Sequence, residues 1–529
     1  MVMTAACTEN GGGEHGSKLP APSGLAVETV GSDAVWLSWN AGSGDVKGYY
    51  VFSKDEGAGY YVEPSASLPA DSGSYLFESL SEGWHYFGVQ ARAENAKYNS
   101  ETAWSEKVRV IDYSKAPAAK ITSLVTSYAY IFVDYSFERV GGTPSDYGLC
   151  LSAEHTPTVE DSRFQGPALS GSGTRQLIPN AVMEYGKEYR LRAYVHSGGE
   201  YWYSEETKFT LPAEPAAPQL TWNKLSVQDL PPAVEIYETT SALNGRKFHA
   251  WYAIADCTGA VEFKVLNPSS KATLENQAKA AGNCLVMING GIFGTKHIGV
   301  IYAGGVKQAW RDEVDGSYWA WDAKLYNLSR AIIGADASGK PSAFWTSAPD
   351  ADHVYFYDRP MATVMGEPAW PSAADGNPGP AILWNPVNAL STGPMLVYGG
   401  KCTVDRQATG KTAGWSSDNK TYSYYYSNYE CWAPDIYPTK PDRTAVGYTA
   451  EGKIVLFICD GRIADSDGAY IDELALIMKS LGCVAAMNLD GGGSTAMVVN
   501  GRRLNSLLTG SGTATENRPV LSTLGFFRK

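Results

Sequence analysis

Apolar and polar positions alternate in a telling way along the C-terminal third of the chain. Ile454 to Cys459 is continuously apolar, as expected of a strand buried on both faces. It stops at Asp460-Gly461-Arg462. From Ala469 to Leu481, Ile471, Leu474, Ala475, Met478 and Leu481 recur at helical spacing, with Asp467 as the expected N-cap and Gly482 as the stop. A second apolar run, Cys483 to Met487, ends at Asn488-Leu489-Asp490. Gly491, Gly492, Gly493, Ser494 and Thr495 follow, then Ala496 to Val499, closed by Asn500-Gly501. The pattern predicts strand, helix, strand, glycine turn, strand, and a tight Asn-Gly hairpin turn. A helical crossover makes its two flanking strands parallel. Asp460 and Asp490 then share the carboxyl-terminal rim where open α/β sheets hold ligands, with Arg462 beside them.

Earlier segments follow other periods. Val35-Trp36-Leu37-Ser38-Trp39, Gly48 to Phe52 and Tyr86 to Ala91 are short strand-like runs separated by turn residues, and predict a β-sandwich over 20–114. Tyr128 to Tyr135, Tyr189 to Val195 and Tyr201 to Tyr203 predict a second over 115–213. The proline-rich stretch from Leu211 to Pro218 reads as a stiff linker that holds a third domain, 219–529, away from both sandwiches. In that domain a helix is expected from Lys271 to Ala281. A strand from Cys284 to Ile288 then ends at Asn289-Gly290-Gly291. The fold class read from these runs is multidomain: two all-β sandwiches, then an α/β (α+β) domain with a mixed sheet.

Composition narrows the function. Hydrophobic residues make up 44% of 529 residues, enough for packed cores. The net charge of −13 carries no basic stripe, which disfavours nucleic acid. No apolar run reaches the length of a membrane span. Eight cysteines contain no Cys-x-x-Cys pair, so a zinc cluster is not expected. Cys402 and Cys431 flank a polar aromatic loop and could pair in an oxidising compartment. Residues 1–19 read as a flexible tether, and Ala5-Ala6-Cys7 looks like the tail of a bacterial lipoprotein signal. This suggests a monomeric cell-envelope protein whose tie to a membrane is a lipid on Cys7. Aromatics reach 12%. The stretch from Gly316 to Tyr437 is aromatic and loop-rich, with Trp319, Trp321, Trp345, Trp370, Trp384, Trp415 and Trp432, and within it Thr421 to Tyr429 is too polar for a core strand and reads as an insertion arching over the site. A sugar subsite and a self-packed surface loop are both open there.

One ordered set of motifs resembles a family. Asn289-Gly-Gly-Ile-Phe293, Thr392-Gly-Pro-Met-Leu396, Arg443-Thr-Ala-Val-Gly447, Asp460-Gly-Arg462, Asn488-Leu-Asp-Gly-Gly-Gly-Ser-Thr495, Asn500-Gly501 and Arg518-Pro519 resemble the phosphodiester glycosidase family over about 300 residues. The first sandwich resembles fibronectin type III modules through Pro22, Trp36 and Tyr86-x-x-Val89-x-Ala91. The resemblance implies hydrolysis of the bond between a sugar's anomeric carbon and a phosphate. The residue types suit that reaction. An anionic diester needs guanidinium forks and backbone N–H donors. Arg443, Arg462 and Arg518 are the candidate forks, and the 491–493 turn supplies the donors. A carboxylate stabilises or attacks the anomeric centre as it becomes oxocarbenium-like. Asp490 is the candidate nucleophile or base, Asp460 its partner and Glu516 an acid. Asn289 and Asn488, with Gly290 and Gly291, would orient sugar hydroxyls; Ser494 and Thr495 would bind phosphate oxygens. No cofactor is required, and a divalent cation shared by the carboxylates stays open. Two rivals stand beside this reading: a non-catalytic carbohydrate-binding protein and a metal-dependent phosphodiesterase.

Overall fold

The structure is a computed structural model. It describes residues 17–30, 32–59, 62–112, 115–141, 144, 146–166, 172–310, 330–348, 352–360, 381–406, 439–506 and 517–529. Glu516, Cys7, Cys431 and most of the aromatic insertion lie outside them. The chain divides into two compact units: one is residues up to Ala118 with Glu138–Thr143, the other Ala119–Phe137 with Pro144–Lys529.

The first unit is a sandwich of two antiparallel sheets. One holds Ser23–Val30, Ala34–Asn40 and Ser74–Phe77. The other centres on Gly48–Asp55 and Gly83–Arg92. Val35, Leu37, Val51, Phe87 and Val89 fill its core. Trp36 is 40% exposed, whereas Trp39 is 5% exposed and packs edge-on to Tyr49. Residues 35, 37 and 39 share one strand face, so alternation sends Trp36 to solvent.

The second unit corrects the linker reading. Most of the second sandwich, including the strand Glu188–Ser197 and residues 130–137 of another, lies in the same compact unit as the rest of the chain from Pro144 to Lys529. Tyr128, Tyr130, Phe132 and Leu177 share one apolar cluster with Leu396, Val397, Cys402 and Val404. The Tyr128 and Tyr130 hydroxyls donate to the carbonyls of Val404 and Asp405. Glu214, in the supposed spacer, accepts from the Cys402 N–H at 2.8 Å and pairs with Lys479. A stiff linker sets a distance only when its side chains lack partners, and these have them.

Eight elements of the C-terminal region carry the site. They are α1 (Leu274–Ala281), β1 (Cys284–Asn289), β2 (Arg443–Thr449), β3 (Ile454–Cys459), α2 (Ile471–Ser480), β4 (Cys483–Asn488), β5 (Met497–Val499) and β6 (Thr523–Arg528). Glycines at positive φ, Gly282 and Gly482, end both helices as expected. The start of α2 differs from expectation: Tyr470 is its N-cap, and the Glu473 carboxylate takes the Tyr470 N–H at 2.9 Å.

The region is mostly strands, which corrects the α/β description. Its strands form sheets of eight, five and six, every described pairing antiparallel. β3 and β4 do run in the same direction, but β2 lies between them, antiparallel to both. The helix carries the chain past a slot that β2 already fills through its hairpin with β3. The buried strand β3 has one face on each of two cores. Val455, Phe457 and Cys459 meet α2 and the sandwich tyrosines; Ile454, Leu456 and Ile458 meet Val286, Ile288, Leu524 and Phe526 of the five-stranded sheet. Trp345 lies in a strand of the six-stranded sheet, Pro341–Ser347. Trp345 is buried in the core and Trp384 packs on Phe344 and Phe356.

Candidate active site

The ends of β1, β3 and β4 and the start of β2 meet at one rim. Arg443 is in register with Cys459 and Ala445 with Asn488, so the residues next in line are Asp442, Asp460 and Leu489-Asp490. Backbone bonds seal the junction. The Asp490 N–H donates to the Gly290 carbonyl at 3.1 Å, the Leu489 N–H to Thr444, and the Gly492 N–H to Asp442 at 3.0 Å.

Asp490 lies two residues beyond β4, where the glycine turn begins. Gly491 donates its N–H to Asp490 Oδ1 at 3.0 Å. Burial pushes the Asp490 carboxyl up to about 6, against the pull of the Ser494 hydroxyl, the Arg518 charge and the Gly491 N–H. The turn itself is a short 3₁₀ segment, Gly492–Ser494. Its Ser494 and Thr495 N–H groups return to the carbonyls of Gly491 and Gly492. The Gly493 N–H has no acceptor among the described residues. A side chain at Gly493 would sit 3.0 Å from the Arg518 guanidinium, and one at Gly492 3.2 Å from that of Arg462. Two arginines therefore straddle the turn. Arg518 Nη1 also lies 3.4 Å from Ser494 Oγ.

The three candidate forks thus have different settings. Arg443 is buried, and its Nε and Nη2 donate to the carbonyls of Ala469 and Thr439. Arg462, at a φ of 59°, pairs with Asp442 Oδ2 at 2.8 Å. Arg518 faces Ser494 and Asp490.

Asp460 is fully buried. Its oxygens accept from Asn505 Nδ2 and the Ser506 N–H, each at 3.3 Å. Burial raises its pKa, and those donors oppose the shift. Asn505 Nδ2 also reaches the Thr495 carbonyl at 3.0 Å, so Asp460 is tied to the far end of the glycine turn. Asn289 is wholly occupied. Its Nδ2 donates to the Asp490 carbonyl, and its Oδ1 accepts from Thr444 Oγ1 and the Ala496 N–H. Asn488 Nδ2 donates to the Gly393 and Leu489 carbonyls, while its buried Oδ1 has no partner among the described residues. Thr495 Oγ1 meets Thr444 Oγ1 at 3.2 Å. Gly290 and Gly291 leave no room for a side chain, since a Cβ would lie 2.4 Å from Ser522 Oγ and 2.5 Å from His297 Cε1 respectively. Among the described residues no group of three His, Cys, Asp or Glu side chains assembles as a metal cage.

Sequence reasoning passed over three residues here. Asp442 is fully buried, with Gly461 N–H on Oδ1 at 3.0 Å and Arg462 on Oδ2. Burial pushes its carboxyl up to about 6 despite that arginine. Its place opposite Asp460 follows from the β2–β3 hairpin register, which the Glu451-Gly452 turn does signal. His297 is buried, with Nε2 at 3.1 Å from the Ser391 carbonyl and Nδ1 at 3.3 Å from Ser522 Oγ. A lone histidine in a loop gave no such signal. Asn505 follows the Asn500-Gly501 hairpin and had no motif of its own.

Parts of the chain are similar to known proteins. A family model described as phosphodiester glycosidase matches residues 283–527, and one for the fibronectin type III domain matches 20–111. The mouse N-acetylglucosamine-1-phosphodiester alpha-N-acetylglucosaminidase is 44% identical over 59 residues, 11% of each chain. The SPbeta prophage-derived uncharacterized protein YomE of Bacillus subtilis is 35% identical over 85 residues, 16% of this chain and 12% of that protein. The chain thus spans about a tenth of the length of these relatives. The zebrafish N-acetylglucosamine-1-phosphodiester alpha-N-acetylglucosaminidase catalytic domain, auto-inhibited by its pro-peptide, aligns at 20% identity and a TM-score of 0.36, covering 59% of this chain and 88% of that one. Together, the ordered motifs and the matching models make this a chain that carries a phosphodiester glycosidase domain over residues 283–527, preceded by a fibronectin type III domain over 20–111.

Proposed function

We propose that the protein hydrolyses the bond between a sugar's anomeric carbon and phosphate in a sugar-1-phosphodiester. The observation that carries this reading is the Asp490 carboxyl beside the Arg518 guanidinium, on a glycine turn whose Gly493 N–H has no acceptor among the described residues. The diester phosphate lies against Arg518, the Gly493 N–H and Ser494. Charge stabilisation there assists departure of the phosphate. Asp490, ionised above about pH 6, faces the anomeric centre as nucleophile or base. Asp460 acts at one remove, through Asn505 and the turn it holds. Arg443 supports the rim from beneath, with its donors on carbonyls. Glu516 stays a candidate acid on sequence grounds. The substrate is a glycan or a smaller sugar phosphodiester, N-acetylglucosamine being one candidate sugar. An extracytoplasmic setting, with a lipid on Cys7, fits the fibronectin type III domain.

The test is a panel of sugar-1-phosphodiesters in ¹⁸O-water. Label in the released sugar supports the proposal. Label in phosphate, with loss of activity in chelator, favours the phosphodiesterase alternative. Sugar binding without cleavage of any diester favours the binding-protein alternative.

A further inference from the structure

Two cations flank the glycine turn, but only one of them is matched by a fully buried carboxylate. Asp442 sits in the middle of the rim. Its carbonyl holds the Gly492 N–H at 3.0 Å, its Oδ1 the Gly461 N–H, and its Oδ2 the Arg462 Nε and Nη2 at 3.3 and 2.8 Å. Arg462 in turn lies against Gly492. On the other side, Arg518 touches Gly493 and Ser494. Counted together among the described residues, Arg443, Arg462 and Arg518 are matched by Asp442, Asp460 and Asp490. A ligand bringing one negative charge meets a site near neutrality. A ligand bringing two meets the same near-neutral site and adds a second charge that no further cation matches.

We propose that Asp442 is a specificity-determining residue that acts through Arg462, so that the site accepts the singly charged phosphodiester and disfavours the doubly charged monoester. This rests on the functional reading above and deepens it. The hydrolysis consumes a monoanionic diester and water. It yields the free sugar, a phosphate monoester of the leaving group and one proton. Above the monoester's second pKa of about 6 that product is a dianion. Asp442 therefore favours release of product as well as choice of substrate. Such discrimination by an unmatched like charge is an established device of recognition.

The test uses the full chain at pH 8, where Asp442 and the monoester are both ionised. Methyl phosphate (dianion) and dimethyl phosphate (monoanion) are titrated separately and followed by ³¹P NMR. Wild type should bind methyl phosphate no tighter than dimethyl phosphate. Asp442→Asn should tighten methyl phosphate by about tenfold or more, the scale of one nearby charge, and dimethyl phosphate much less. Arg462→Gln should shift the ratio the opposite way. Asp442→Asn combined with Arg462→Gln, which removes the pair as a unit, should restore the wild-type ratio; it also serves if the single asparagine variant does not fold. Equal shifts for both anions, or a ratio indifferent to these changes, would overturn the inference while leaving diester cleavage intact. Wild type that binds neither anion and cleaves no diester would overturn the reading of the site itself, and this inference with it.

Discussion

The Asn289 side chain donates to the main-chain carbonyl of Asp490 at 2.7 Å. With that bond, the last residue of one sheet's central strand anchors the main chain of Asp490, two residues beyond a strand of another sheet. The same amide accepts from Thr444 Oγ1 at 2.8 Å and from the Ala496 N–H at 3.2 Å. Asn289 is thus a knot between the strand ends and has no donor or acceptor left for a sugar.

Asn289→Ala should therefore lower stability as well as turnover. It leaves the Thr444 hydroxyl and the Ala496 N–H buried without their acceptor, at a cost of about 1–3 kcal/mol. Urea unfolding checks this: a lower midpoint at unchanged slope is expected. An unchanged midpoint with lost activity would instead point to direct contact with substrate.

Asp490→Asn should reduce turnover of a cleaved diester by about 10²–10⁴-fold, the range for a positioned acid–base group. In wild type, activity should rise with pH through about 6 as Asp490 ionises. A pH–rate profile without that limb would exclude Asp490 as the group that must be ionised.

Stability should respond to pH in a way that isolates Asp490. Folded Asp490 and Asp442 keep their protons up to about pH 6. An unfolded Asp loses its proton near pH 4. Between those values the folded state binds more protons, so these groups make stability fall as pH rises. His297 works the other way. Burial pulls its pKa down to about 4, so its contribution is lost as pH falls from about 6.5 toward 4. Two carboxylates thus oppose one imidazole. Asp490→Asn should melt higher than wild type at pH 7, with the gap closing by pH 4.5. Thermal melts at the two pH values decide it, and a variant no more stable at pH 7 contradicts the burial cost assigned to Asp490.

Gly493→Ala tests the contact behind the turn. Its new methyl would sit 3.0 Å from the Arg518 guanidinium, which can swing away because it is the far end of a flexible side chain. The fold should survive, and KM for the diester should rise about tenfold or more, since a charge-assisted bond is displaced. A large stability loss with unchanged KM would place Arg518 outside the binding site.

Glu214→Ala tests the attachment of the second sandwich. The carboxylate takes the Cys402 N–H at 2.8 Å and the Tyr185 hydroxyl, and pairs with Lys479. Its loss should cost about 1–3 kcal/mol. Unfolding followed by the sandwich tyrosines and by turnover should shift together. Two separate transitions in wild type would show that the sandwich is only tethered.

Much of the site was legible because its signals are local. Asp460 and Asp490 each stand where an apolar run stops, and Gly491 to Gly493 can only be a turn. Asn500 and Gly501, at φ of 46° and 79°, make the hairpin their dipeptide demands. Glu516 and the polar aromatic loop fall outside the described residues.

By itself the sequence determined which stretches form the strands, helices and turns around the site, though not where the helices begin, because burial on one or both faces imprints a period of two, 3.6 or none on neighbouring residues. It also determined that two carboxylates end strands of the same direction. Only the tertiary structure decided that β2 lies between those strands, that Asp442 thereby meets Arg462, that Arg443 turns to carbonyls, and that the second sandwich shares a core with α2. These depend on pairings between residues tens to hundreds of positions apart. Their free energy lies in strand order and in complementary surfaces, which leave no periodic mark on the chain.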